Sequence, residues 1–378
     1  MKFPIHLFAL LISASSVVAA DWKKHIIHEG QHTLTAVGAD FTGDGVIDVI
    51  SSTGGKTRLF VGPDWTEHAI HIEPKLRAIH SEVLDVDGDG DWDYATTNAH
   101  DKPFWLENPG KEAALNGKMW TKRIIDHDIL GIHCMLKADV DNDGTDDLII
   151  NNFEPKGVMA DSIAWFKIPA DPKSADHWIR NVFADKTARG GSHYFGFGDI
   201  DGDGWGEISA GAKGGPFEDG NWFAFWKNPG KDGVTGPWKK MVLAENQLAA
   251  TNIIPANVNG DGKPDFIASR GHSQGVLWIE APDWKVHEID PDLKEPHSLT
   301  VSDFDQDGDL DAATCGYGSE LVMWYENDGK GNFTHHQIGD KQGSYDTRTV
   351  DMDGDGDGDL LIAGRQSQNV VWYENPLK

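Results

Sequence analysis

Cysteine is nearly absent: the 378 residues contain two, Cys134 and Cys315. They fall in different copies of the repeat described below. That excludes a disulfide framework and fits two buried thiols, while a single bridge in an oxidising compartment stays open. Long apolar runs are also missing beyond residue 20, so no later segment offers the roughly 20 uninterrupted apolar residues of a membrane-spanning helix. No cysteine stands where a lipid anchor would attach. Positive charge is scarce: 33 Lys and Arg face 61 Asp and Glu, for a formal net charge of -28. This argues against nucleic acid or an anionic membrane as partner. No phosphate-cradling Gly-rich loop or nucleophile elbow lies in a strand-to-helix context.

The one apolar stretch lies at the start. Lys2 is followed by mostly apolar residues through Ile12 and by the small-residue site Val18-Ala19-Ala20. This is the pattern of a secretory signal cleaved before Asp21. Residues 1–20 are therefore set aside, and residues 21–378 are expected outside the cytoplasm, secreted or periplasmic, with no membrane insertion.

What is abundant is glycine, aspartate and tryptophan, arranged periodically. Seven times the chain runs through an apolar alternating segment, an Asp-rich loop, an aromatic-centred strand and a Trp-led strand. The loops begin at Asp40, Asp85, Asp139, Asp199, Asn257, Asp303 and Asp351. Their spacing of about 45 to 60 residues suits four short strands per blade of a propeller. One all-β domain of seven blades is expected. The third strand recurs around Phe60, Trp105, Trp165, Trp226, Trp278, Trp324 and Trp372, and the fourth opens at Trp65, Trp120, Trp178, Trp238, Trp284 and Phe333. A seventh fourth strand is missing near Lys378, but the segment from Asp21, DWKKHIIHE, matches MWTKRIID from Met119. The N-terminal strand should therefore close the last blade and remove its open edge, and a monomer is expected. The regular aromatic positions read as packing between blades rather than as a sugar-stacking stripe.

Each loop follows Asp-x-Asp-x-Asp-Gly-x-x-Asp. Calcium is a hard cation that takes six to eight oxygens, and short carboxylates at alternating positions around a Gly-permitted turn supply them. The glycine recurs at Gly45, Gly90, Gly144, Gly204, Gly262, Gly308 and Gly356. Candidate ligands are Asp85, Asp87, Asp89 and Asp93 in the second repeat, and Asp139, Asp141, Asp143 and Asp147 in the third. The fourth offers Asp199, Asp201, Asp203 and Glu207, the sixth Asp303, Asp305, Asp307 and Asp311, and the seventh Asp351, Asp353, Asp355 and Asp359. Two loops are poorer: the first has Asp40, Thr42, Asp44 and Asp48, and the fifth Asn257, Asn259, Asp261 and Asp265. Asp-Gly turns occur in ordinary hairpins, but seven copies at fixed offsets favour Ca2+.

These motifs resemble FG-GAP or VCBS repeats, the family that includes the integrin α-chain head, over essentially all of residues 21–378. The resemblance implies a propeller with calcium in the hairpin between the first and second strands of each blade. Calcium there is scaffold and performs no chemistry.

Residues several positions before and after each loop should then share the opposite face. His80, His133, His193 and His297, with His32 slightly earlier, enter the innermost strands and should ring the channel. The return strands bring His100, Asn152, Lys213, Arg270, His272, Tyr317 and Arg365 to the same face. Histidines also line wet channels as polar fillers, and an axial cation held by several blades stays open. The enlarged segments NNFEPKGVMADS and GAKGGPFEDGN should rise on this face as well,.

His80 and His100 flank one hairpin. In this the chain is similar to seven-bladed polysaccharide lyases that cleave uronate-containing glycans, enzymes with a histidine pair at this hairpin separation. The similarity implies His80 and His100 as base and acid of a β-elimination, with Tyr194 assisting proton transfer. Arg189, Lys213 and Arg270 would neutralise the carboxylate, and His133, His193, His272 and His297 would complete the substrate site. His80 stands five residues before its loop while the other three stand six before theirs, and one residue reverses a strand's facing. The rival reading is a non-catalytic propeller that binds a glycan or a protein at the same face. An adhesion module like the integrin head is a third.

Overall fold

The computed structural model describes residues 18–19, 22–214 and 220–377. The expected signal segment lies outside them, apart from Val18–Ala19, which pairs in parallel with His336 and Gln337. The seven sheets each have four antiparallel strands in simple meander order, and the last is completed by Lys23–Glu29. Lys23–Glu29 runs antiparallel to Asn369–Glu374, with Lys23 opposite Glu374 and Glu29 opposite Asn369. The closure expected from DWKKHIIHE is thus formed. The innermost strands neighbour one another around the ring, and Asp346–Val350 meets Ala36–Ala39 to complete it.

Blade cores are built between neighbours. Trp120 of the second blade packs edge-on against Phe41 of the first, and Trp165 of the third is buried with Trp226 and Trp238 of the fourth. Each Trp-led strand begins one residue after its tryptophan, as in Thr66–Ile72, Thr121–Ile124 and Ile179–Ala184. The tryptophans therefore plug blade junctions, and their regular recurrence is explained by packing. A five-residue helix, Lys111–Leu115, which the repeat pattern does not foretell, sits between the third and fourth strands of the second blade. Both cysteines are buried and free.

The acidic loops all join first to second strands. Their glycines hold φ between 80 and 100°, from Gly262 to Gly308, a region that costs a side-chain-bearing residue free energy. The first aspartate of most loops accepts two backbone N–H groups, as Asp40 does from Asp44 and Gly45 at 2.9 and 2.8 Å. The last acid is buried and ties the loop to the start of the following turn. Asp93 accepts from Val86 and Asn108 at 3.0 and 2.7 Å, and Asp359 accepts from Met352 and Asn375 at 2.8 Å each.

Candidate functional site

The axial channel is divided by a plug of aromatic and imidazole side chains. His133, His193 and His297 stand six residues before their loops, and Tyr345 occupies that place in the seventh blade. The three histidines bring ring nitrogens within 4.8 Å of one another. Nε2 of His193 lies 3.2 Å from Nε2 of His297 and 3.1 Å from Nε2 of His272. Tyr345 stacks on His297 at 3.7 Å between ring centres, and its carbonyl accepts from the Tyr194 hydroxyl at 2.9 Å. Burial, reinforced by the neighbouring imidazoles and Lys213, pushes the pKa of His133 and His193 well below the ordinary histidine value. The same holds for His297 through burial, His272 and His133. His272 is open to solvent along one side. Burial of its inner edge, followed by Lys213 and Arg365, pushes it down to about 4.

Below the plug, toward the acidic loops, a cavity of about 430 Å³ is lined by His80, Glu82, Lys137, Tyr194, Asp346 and Arg348, among others. Arg348 donates to Asp346 at 3.0 Å, to Glu82 at 3.3 Å and to the Ser81 carbonyl at 2.7 Å. It also donates to His80 Nε2 at 3.1 Å. Because guanidinium only donates, His80 presents a lone pair there and is neutral. Burial, then Arg348, holds its pKa well down.

Above the plug, on the face away from the acidic loops, two contiguous recesses share Arg77. One holds Arg77, His133, Phe153, Glu154, His193, Lys213, His272 and Tyr345. The other holds His32, Lys75, Arg77, His100 and Arg365. Lys213 lies over the Phe153 ring at 4.7 Å, and Arg365 over Tyr345 and Tyr317 at 4.8 and 5.5 Å. The segments around Phe153 and Lys213 rise here as expected, although residues 215–219 lie outside the described residues.

The expected His80–His100 pairing is not formed. Ser81 pairs with Thr96, and the His80 carbonyl accepts the Thr97 amide at 3.0 Å. Further along, the Arg77 carbonyl accepts the Ala99 amide at 3.1 Å. His80 turns into the lower channel beside Tyr194, 5.3 Å between ring centres, while His100 lines the upper recess. Arg270 is engaged by Glu288 at 3.0 and 2.9 Å. Arg189 is exposed, and its carbonyl accepts the Trp222 indole N–H. Asn152 staples its own loop through Lys156 and Asp161. Sequence reasoning missed Lys75, Arg77, Tyr345 and Arg348. Tyr345 was available from the six-residue offset, whereas Lys75, Arg77 and Arg348 carry no motif.

In the acidic loops, carboxylate oxygens of Asp85, Asp87 and Asp93 gather within 4.8 Å, as do those of Asp139, Asp141 and Asp147, of Asp199, Asp201 and Asp203, and of Asp303, Asp305 and Asp307. Burial pushes Asp93 and Asp147 up to about 8 and Asp311 and Asp359 up to about 7. Lysine ammonium groups from the third strand or the loop beyond it press on the acidic side chains of three loops: Lys173 at Asp87, 2.5 Å, Lys167 at Asp141 and Asp143, and Lys227 at Asp201. Oδ1 of Asp141 is buried with no hydrogen-bond partner.

The architecture defines a seven-bladed β-propeller with its recesses at the two ends of the axis. Residues 303–362, in the sixth and seventh blades, match the family model described as FG-GAP-like repeat. No curated protein sequence matches it. Among solved structures it is similar to BBS1N in complex with ARL6DN, soaked with lead, at 10% identity and a TM-score of 0.64, covering 95% of this chain and 98% of that one. It is also similar to YCF48 bound to D1 peptide, at 12% identity and a TM-score of 0.54, covering 97% and 99%. At such identities the likeness concerns the fold.

Proposed function

We propose that this protein is a recognition propeller that binds an acidic, uronate-bearing glycan over the upper recesses. One observation carries this reading. In a chain of net charge -28, Arg77, Lys213, Arg365 and Lys75 gather on the face away from the acidic loops, beside the aromatic rings of Phe153, Tyr317 and Tyr345. Cations take the carboxylates and rings take the apolar faces of sugars. The reading is tested by calorimetric titration with a polyuronate and with its carboxyl-reduced, neutral counterpart. Binding of the acidic polymer alone, weakening as salt rises, supports it. Equal binding of both polymers overturns it, and binding of neither transfers the face to a protein ligand, for which the propeller complexes similar in fold are precedent.

β-Elimination is the finer reading. Its support is that His100 shares one recess with Arg77 and Arg365, a base next to groups that would stabilise a carboxylate in the transition state. With His80 sealed against Arg348, the base would be His100 alone rather than the pair His80 and His100. Ultraviolet absorbance of an unsaturated product, lost in His100→Ala and retained in His80→Ala, is the expected result. Retention in His100→Ala contradicts it.

We further propose that the acidic loops hold Ca2+ as scaffold, supported by the gathered carboxylates and by the lysines that satisfy part of the same demand for positive charge. Export is proposed from the Lys2 to Ala20 pattern, and an extracytoplasmic setting suits both calcium and a glycan ligand.

A further inference from the structure

The plug itself is the least explained part of the molecule. His133 is 3% exposed and His193 0%, yet neither ring nitrogen of His133, nor Nδ1 of His193, has a hydrogen-bond partner. Leaving a buried polar group unpaired costs free energy, so three such atoms in one cluster require an explanation. The tautomers supply part of it. Nδ1 of His297 lies 3.0 Å from the Tyr345 carbonyl, which only accepts, so that nitrogen carries the proton and Nε2 presents its lone pair to the cluster. A histidine whose outer N–H is fixed on a backbone carbonyl while its other nitrogen points inward is the arrangement typical of a metal ligand.

The distances agree. At metal–nitrogen bonds of about 2.0–2.1 Å, nitrogens at the corners of a tetrahedron lie roughly 3.3–3.4 Å apart. The Nε2 atoms of His193 and His297 are 3.2 Å apart, and those of His193 and His272 are 3.1 Å apart. Three of these histidines come from consecutive or near-consecutive innermost strands, so the ring of the propeller fixes their separation.

We propose that His133, His193 and His297 hold a borderline divalent cation such as Zn2+ on the propeller axis, with His272 as fourth ligand at the floor of the upper recess. Imidazole nitrogens select such a cation over calcium, which prefers oxygen. The molecule thereby contains two chemically distinct kinds of cation position, one axial and one in the rim loops. The site does not depend on the glycan reading. The recess above it, of about 140 Å³ and lined also by Lys213 and Arg77, would place any anionic ligand within reach of the metal.

The test uses the full chain, stripped with a chelator, resaturated with Ca2+ to block the carboxylate loops, and titrated with Co2+. One equivalent should bind with the intense visible absorption of four-coordinate cobalt, and Zn2+ should displace it. His193→Gln and His297→Gln should lower affinity beyond the roughly 10–100-fold typical of losing an outer-shell partner, while Asp305→Asn should leave the spectrum unchanged. Absence of one-equivalent binding to the wild type overturns the proposal, as does an unchanged spectrum in folded His193→Gln. Should these variants not fold, X-ray absorption of the wild-type zinc form decides. Imidazole nitrogens at about 2.0–2.1 Å sustain the proposal and an all-oxygen shell overturns it.

Discussion

At the scale of single residues, one position of offset along an innermost strand decides which compartment a side chain serves. His133, His193 and His297 share an offset and meet in the plug, whereas His80, one residue closer to its loop, turns below it toward Arg348. Arg348 is the residue on which the lower compartment turns. Glu82 and Asp346 are 6% and 2% exposed, and each relies on this guanidinium for neutralisation. Removing one partner of a buried charge cluster is costly because the remaining charges stay buried. Arg348→Met should therefore lower the unfolding free energy by about 3 kcal/mol, read from urea denaturation. An unchanged midpoint would show that Glu82 and Asp346 are neutral and need no partner.

At the scale of elements, the ring is closed by strand pairing, with Lys23–Glu29 hydrogen-bonded to Asn369–Glu374. The inward residue of the closing strand, Ile27, is 7% exposed and packs with Leu361, Val370 and Trp372. Ile27→Asp should release the strand, expose the edge of Asn369–Glu374 and produce concentration-dependent association visible by light scattering. A monodisperse variant of unchanged melting temperature would mean that closure contributes little. The loops differ among themselves in a testable way. Lysines already press on the loops at Asp87, Asp141 and Asp201, so those loops have less to gain from calcium. Asp305→Asn should remove more of the calcium-dependent rise in melting temperature than Asp141→Asn, and the reverse order would contradict the assignment of the lysines as competing cations.

The repeat made these elements legible from sequence alone. Seven Asp loops, the Trp-led strands and the match of DWKKHIIHE to MWTKRIID locate every blade and its closure, because each feature recurs at a fixed offset. The functional face was legible only in part, for a physical reason. The facing of His133, His193 and His297 follows from a shared offset, but the hairpin around His80 pairs it with Thr97 rather than His100, and that register depends on the non-strand backbone of residues 73–80, which no periodicity marks. Arg77 stands in just that irregular stretch.

At the scale of the whole molecule, charge is segregated along the axis. Carboxylates crowd the loops at one end, while Arg77, Lys75, Lys213 and Arg365 collect at the other. A field of this kind repels an anionic polymer from most of the surface and admits it at one place, which favours orientation and speed of encounter as much as affinity. The most direct test compares the affinity of the wild type for a uronate oligosaccharide with that of Arg77→Ala/Arg365→Ala. Lys240→Ala serves as the control, because Lys240 is spent on the rings of Trp222 and Trp226. The double variant should lose about 100-fold or more in affinity, two charge-assisted contacts being worth about 1.5 kcal/mol or more each, while the control binds as the wild type does. Undiminished binding by the double variant would contradict the account, since the cationic face would then not be where the ligand sits.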